Sequence, residues 1–278
     1  MKISVVVPTF NRAHTLERCL DSILNQNFKA HEVLVVDDGS TDDTKKVLSK
    51  YKDQIKVYRI ENSGVSAARN HAIKVASGDW IALLDSDDEW LPNRLEAQVD
   101  LAKHFPNLKL IHGEEIWIRN GKRVNQKKIH KKEGGYIYQN CLPLCCISPS
   151  ASLIKKEVFE ELGYFDEEFP VCEDYDLWLK ITAKYEVGFV SEAIINKYGG
   201  HDDQLSQKYF AMDLYRVRAM VRMLKTDLQK DDYKATVDQI IRKSEILILG
   251  YNKHNNLKDL PEVELHLKFA KASKSKIS

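Results

Sequence analysis

The chain has 278 residues, 43% of them hydrophobic and 30% charged, enough apolar material for one large α/β core with a smaller extension, which excludes an intrinsically disordered chain. A formal net charge of +1 excludes whole-molecule attraction to a nucleic-acid duplex or an anionic membrane, so any anion has to be bound locally. No run of about 18 apolar residues occurs, so no membrane-spanning helix is expected. The opening MKISVVVPTF is too short in its apolar part for a signal peptide. Cys19, Cys141, Cys145, Cys146 and Cys172 include no CxxC pair and no zinc-like spacing, and read as free thiols in a reducing cytoplasm.

Residues 3–7 form a β-branched run, as a parallel strand covered on both faces requires, and Pro8 ends it. Leu16, Cys19, Leu20, Ile23 and Leu24 then fall on one stripe of a helix over residues 13–26. Residues 32–37 (EVLVVD) are the next buried strand; the Asp38-Gly39 turn follows, and Ser40 or Thr41 is placed to cap a helix through Val47, Leu48 and Tyr51. Strand 55–60, helix 65–76, strand 80–84 and a helix entered at Pro92, with Leu95, Val99, Ala102 and Phe105 inward, continue the alternation. Such an order predicts a right-handed, mostly parallel sheet. Beyond Leu108 the pattern changes, and residues 116–119, Asn120-Gly121 and a polar strand predict an antiparallel hairpin.

From residue 206 the chain turns helical. Phe210, Leu214, Val217, Val221, Leu224 and Leu228 recur at alternating spacings of four and three, and Val237, Ile240, Ile241, Leu247 and Ile248 mark a second helix before a lysine-rich end. The first stripe packs onto the main domain or pairs with a second copy of the chain. The division expected is a main domain over 1–205, whose half at 1–108 looks nucleotide-binding and whose half at 109–205 looks like an acceptor platform, followed by a helical extension over 206–278.

Ligands of open parallel sheets bind beyond the carboxyl ends of the strands, and three such ends here carry aspartate. In WIALLDSDD, residues 80–88, Asp85 and Asp87 are two apart and as strand residues would face one point, where they would repel unless a divalent ion lay between them. Oxygen ligands suit Mg2+ or Mn2+, which keeps positions open for phosphate oxygens. The alternative is that these aspartates do no more than make a turn. In VVDDGSTDDT, Asp38 can accept the imide N–H of a uracil, or simply belong to the turn. Arg69 lies among Ala67, Ala68 and Ala72 on a short helix, and either points inward to a pyrimidine or a phosphate, or is solvated. On the helix of VCEDYDLWL, at 100° per residue, Asp174 falls within the apolar stripe of Leu177, Trp178, Ile181 and Tyr185, with Glu173 a quarter-turn away and Asp176 nearly opposite. An inward carboxylate on a first helical turn is a cap or a catalytic base, and the helix dipole favours its charged form.

The stretches VVVPTFNRAHTLERCLDSILNQ, VVDDGSTDDT, GVSAARNHAI, LLDSDDEWLPNRL and CEDYDLW, in that order, resemble glycosyltransferase family 2, inverting nucleotide-sugar transferases of the Rossmann-like GT-A fold. The resemblance implies that Pro8, Thr9, Phe10, Arg12, Asp38, Arg69, Asp85 and Ser86 line the nucleotide of a nucleotide diphosphate donor such as a UDP-sugar, that Asp85 and Asp87 form the metal-diphosphate motif, and that Asp174 is the general base. In YGGHDDQLS, Gly199 and Gly200 would act as hinges and His201 as a metal or phosphate contact in a closing loop, or as a surface histidine in a glycine turn. The partners expected are a nucleotide-sugar donor and a glycan or lipid-linked saccharide acceptor, in cell-surface glycan or polysaccharide synthesis. The setting expected is cytoplasmic, at the inner face of the membrane if Lys268, Lys271, Lys274 and Lys276 touch anionic lipid rather than forming a solvated tail. The rival readings are a non-catalytic nucleotide-sugar-binding protein, which would not need Asp174, and a sugar nucleotidyltransferase, which would want a glycine-rich basic cradle that PTFNRAHTLE lacks. A dinucleotide dehydrogenase is disfavoured because no GxGxxG follows the first strand.

Overall fold

The computed structural model describes residues 1–200, 211–255 and 257–277. Strand β1 (Ile3–Thr9) is buried along its whole length because it is hydrogen-bonded in parallel to β2 (Glu32–Asp37) on one side and β4 (Trp80–Leu83) on the other. β3 (Lys56–Arg59) extends this edge in parallel beyond β2. The intervening helices are α1 (Ala13–Leu24), α2 (Thr44–Ser49), α3 (Val65–Val75) and, after the two-residue β5 (Glu89–Trp90), α4 (Arg94–His104). Alternation along the strands divides the core. Val5, Val7, Val33 and Val35 pack with Leu16, Leu20, Leu95 and Val99 of α1 and α4, while Val6, Leu34, Val36 and Leu83 pack with Ala68, Ala72 and Ile73 of α3.

The second half adds β6 (Leu110–Arg119), β7 (Lys122–Val124), β8 (Leu153–Lys155) and β9 (Val187–Gly199), giving, among the described residues, a nine-stranded sheet of order β3-β2-β1-β4-β8-β6-β9-β5 with β7 on β6. β1, β2, β3, β4, β6 and β9 run one way; the short β5, β7 and β8 run against them. The expected α/β fold with a mostly parallel sheet is therefore present. The β6–β7 hairpin turns at Asn120 (φ 49°) and Gly121 (φ 71°), the pair of positive φ values that a tight hairpin twist demands.

Three short helices, α5 (Tyr138–Cys141), α6 (Lys156–Leu162) and α7 (Glu173–Lys184), complete this half. The extension contains α8 (Met212–Met223), α9 (Lys230–Lys253) and α10 (Leu260–Ile277). Leu214, Val217, Met220 and Leu224 enter the same hydrophobic cluster as Tyr175, Leu177 and Trp178 of α7, so this stripe is covered within the chain. The lysine-rich end is a helix and not a solvated tail: Lys271 pairs with Glu245 at 3.0 Å and Lys274 with Asp238 at 2.7 Å. Phe210 lies outside the described residues. Phe105, expected inward, is 58% exposed, because α4 ends at His104 and the backbone leaves helical geometry at residue 105. Among the described residues no helix is long and apolar enough to cross a membrane.

Candidate active site

The parallel pairing of β1 with β2 and β4 brings their carboxyl ends side by side, with Thr9 registered against Asp37. Thr9 carbonyl accepts the Asp38 N–H at 2.9 Å. Asp37 turns the chain, taking the Ser40 N–H on Oδ1 at 2.8 Å and pairing through Oδ2 with Arg59. The buried Asp38 accepts the amides of Ser63, at 2.7 Å, and Gly64, at 2.9 Å, one on each oxygen, and so fixes the approach to α3. Gly64, just before that helix, has φ 94° and ψ 166°, a conformation essentially reserved for glycine. Neither Ser40 nor Thr41 caps α2, which starts at Thr44. Ser40 Oγ instead accepts the Asn11 amide at 2.9 Å, and Asn11 Oδ1 accepts the Thr41 amide at 2.8 Å, tying the loop after β1 to the loop after β2. Pro8 and Thr9 are buried, the Thr9 hydroxyl without a hydrogen-bond partner among the described residues; Phe10 is 42% exposed and Arg12 half-buried.

β4 ends at Leu83, and residues 85–88 form a turn closed by the Asp88 N–H on the Asp85 carbonyl at 3.0 Å. The expectation that Asp85 and Asp87 share a strand face is corrected: a turn sets their directions, and both are half-buried. Ser86 is buried beneath them. Asp88, also buried, accepts Ser150 Oγ at 2.6 Å and the Tyr198 amide at 2.9 Å. Burial, then the charges of Asp87 and Asp85, push its carboxyl well above the ordinary range, against the opposing pull of Lys197. Arg18 of α1 donates to the Asp87 carbonyl at 2.6 Å and stacks 3.6 Å over the Tyr198 ring, clamping the turn against the end of β9.

The helix-wheel expectation for α7 is overturned in part. Glu173 and Asp176 are both buried while Asp174 is half-buried: Glu173 is met by Arg69 of α3, Asp176 pairs with Lys180 at 2.6 Å, and α8 packs against the same helix, so it is covered on more than one face. Cys172, just before the helix, is left-handed at φ 64°, an uncommon conformation for a non-glycine residue. Arg69, 3% exposed, donates to Glu173 Oε1 at 2.7 Å and to Asp85 Oδ1 at 2.7 Å. One guanidinium thus joins the acidic turn to the first turn of α7. Glu173 is pushed up to about 7 by burial and by the neighbouring charge of Asp174, with Arg69 acting the other way. Asp174 accepts its neighbour's amide, Tyr175 N–H, on Oδ1 at 2.7 Å, and the Cys145 thiol on Oδ2 at 3.2 Å.

Sequence reasoning had brought Arg69, Asp85 and Asp174 to one place but missed Glu173, Ser150, Cys145 and Lys197. Ser150, Cys145 and Lys197 fall in no local chemical pattern, and Glu173, inside CEDYDLW, reads on the wheel as a quarter-turn off the buried stripe. Lys197, on β9, donates to Ser148 Oγ at 2.6 Å, and its charge is favoured by Glu115, Asp88 and Asp85 against burial. The five cysteines are not all free: Cys141 and Cys146 form a disulfide with Cα atoms 5.3 Å apart. Among the described residues no three His, Cys, Asp or Glu side chains are grouped to hold a metal; His201 lies outside the described residues. The donor set that remains, two half-buried carboxylates on one turn with Asp85 Oδ2 clear of Arg69, fits a hard divalent ion that completes its shell with diphosphate oxygens and water.

A family model described as Glycosyl transferase family 2 matches residues 4–163. An Escherichia coli protein, UDP-Glc:alpha-D-GlcNAc-diphosphoundecaprenol beta-1,3-glucosyltransferase WfgD, is 33% identical over 215 residues, covering 75% of this chain and 81% of its own. An uncharacterized glycosyltransferase of Rickettsia conorii is 33% identical over 218 residues, covering 74% of this chain and 35% of its own, so the chain spans about a third of the length of this curated relative. The crystal structure of S. aureus TarS 1-349 in complex with UDP-GlcNAc superimposes with a TM-score of 0.70 at 24% identity, covering 100% of this chain and 81% of that one, a likeness of fold.

Proposed function

Because this chain belongs to glycosyl transferase family 2, we propose that it moves a sugar from a UDP-sugar to an acceptor hydroxyl by a single displacement, with inversion at the anomeric carbon. The observation that carries this reading is the Arg69 bridge, which fixes the acidic turn and the helix bearing Asp174 in one buried ion-pair network. Asp174 Oδ2 accepts the proton of the attacking hydroxyl, and Oδ1 stays anchored on the Tyr175 amide. Arg69 holds Asp85 in place and opposes the upward pull of burial and Asp174 on Glu173. Asp38 fixes the loop before α3, beside which the base of the nucleotide would lie, with Pro8, Thr9, Phe10, Arg12 and Ser86 as its further neighbours. Asp85 and Asp87, with His201 as a further candidate, would hold Mn2+ or Mg2+, which supplies charge neutralisation of the departing diphosphate.

The E. coli relative's name gives UDP-glucose as donor and a GlcNAc-diphosphoundecaprenol as acceptor, and a lipid-linked saccharide is the acceptor class we propose here. The test is a panel of UDP-sugars against a synthetic N-acetylglucosaminyl diphospholipid, with and without Mn2+, comparing wild type with Asp174→Asn. Expected is metal-dependent transfer with inverted product, lowered by about 10²- to 10⁴-fold in the variant at unchanged UDP affinity. Retained product configuration, or undiminished turnover in Asp174→Asn, refutes the mechanism.

A further inference from the structure

The segment joining α5 to the residues before β8 passes directly over the first turn of α7. It is anchored at several points: the Cys141–Cys146 disulfide closes it, Lys132 Nζ donates to the Cys146 carbonyl at 3.0 Å, and Tyr175 of α7 donates its hydroxyl to the Leu142 carbonyl at 2.8 Å. These anchors hold Cys145 at a fixed place relative to Asp174, since Tyr175 and Asp174 are adjacent on one helix. The Cys145 thiol has two acceptors within reach, Asp174 Oδ2 at 3.2 Å and the Ile147 carbonyl at 3.3 Å, and one hydrogen to give. Burial and the charge of Asp174 push the thiol well above its ordinary range, so the sulfur keeps its proton and remains a donor.

Asp174 Oδ1 is committed to the Tyr175 amide, so Oδ2 is the oxygen left to take a proton from an acceptor hydroxyl, and it is the oxygen the thiol occupies. We propose that Cys145 is a positioning residue of this site: its thiol holds Asp174 Oδ2 in the resting protein and yields that oxygen to the acceptor hydroxyl by turning its hydrogen to the Ile147 carbonyl. The exchange needs rotation about one bond and no movement of the chain. A thiol suits it because S–H is a weak donor, strong enough to orient the carboxylate and weak enough to be displaced. The acceptor hydroxyl accordingly arrives beside residues 145–147. This inference rests on Asp174 being the base.

Infrared spectroscopy of the full chain tests the contact without turnover. The Cys145 S–H stretch, identified by its loss in Cys145→Ala, should move to higher frequency in Asp174→Asn, because a neutral amide oxygen is the weaker acceptor. An unmoved band overturns the proposal. With UDP-glucose and the N-acetylglucosaminyl diphospholipid, Cys145→Ala should lower kcat about tenfold, the scale of one hydrogen bond to a charged group, with UDP affinity unchanged. Cys145→Ser, which keeps a donor but a stronger and less easily displaced one, should recover part of the loss, its kcat falling between those of Cys145→Ala and wild type. Equal loss in both variants, or a fall in UDP affinity alongside kcat, would make Cys145 a packing residue and overturn its role. Undiminished turnover in Asp174→Asn would instead remove the base itself, an outcome distinct from failure of Cys145 alone.

Discussion

Arg69→Met removes the guanidinium that links two carboxylates, and the expected loss can be worked from their exposure. Glu173 is 8% exposed and loses its charged partner in a site already hostile to its charge; Asp85, at 30%, keeps contact with water. A buried ion left without its partner costs about 3–5 kcal/mol, whereas a buried carboxyl that has taken a proton but lacks a hydrogen-bond partner costs about 1–3 kcal/mol. The folded-state value of Glu173, about 7, lies above its ordinary 4.5 even with Arg69 present, and rises further without it. The native state of the variant therefore binds more protons than the unfolded state through neutral pH, and its stability falls as pH rises. Urea unfolding should give a gap between wild type and variant of about 3–5 kcal/mol near pH 8.5, narrowing to about 1–3 kcal/mol near pH 5.5. Adding Glu173→Gln should recover most of the gap at the higher pH. A gap that is the same at both pH values and unmoved by Glu173→Gln would refute the ion-pair account and leave Arg69 as a packing residue.

In the wild type the same linkage has a smaller reading. Glu173 is raised from 4.5 to about 7, so its contribution to stability is complete below the ordinary value and is lost as pH rises through that window; Glu173→Gln should flatten this part of the stability profile. Gly64→Ala should cost about 1–3 kcal/mol in chemical denaturation, because the residue is at φ 94° and ψ 166°; nothing lies within 4 Å of an added Cβ, so the penalty is conformational, and an unchanged midpoint would contradict it. Asp87→Ala should abolish the Mn2+-dependent part of UDP binding in calorimetry while leaving the melting temperature within a few degrees, and unchanged affinity with metal present would refute the assignment of that carboxylate.

The parallel half was legible because its information is local. The buried strands carry continuous apolar runs, the helices carry stripes, and both periods can be read over a dozen residues. The acidic turn after β4 was legible for the same reason: an apolar strand that ends in Asp85, Asp87 and Asp88 announces charge at the sheet's edge. The direction of those side chains was not, since the chain leaves strand geometry after Leu83 and the alternation rule lapses there. The wheel drawn for α7 failed at Glu173 and Asp176 because a wheel assumes one packed face, whereas α7 meets both Arg69 of α3, 104 residues upstream of Glu173, and the apolar stripe of α8. The lysine-rich end gave no helical stripe strong enough to read, yet Val263 and Ala270 of its helix are fully buried in the core cluster, and the ion pairs with α9 flank that contact at the surface.

What the sequence determined by itself was the inventory and order of chemical groups: strands that end in carboxylates, an arginine among small residues, an acidic pair opening a helix. Which of these meet was decided by tertiary structure alone. Arg69 and Glu173 lie 104 residues apart, as does no pair that a local period could register, and their contact exists because the sheet sets α3 beside α7. The same holds for Cys145 and Asp174, 29 residues apart. Short-range sterics and burial periodicity write element boundaries into neighbouring residues, but an ion pair or a thiol contact depends on distances that only the packed chain defines.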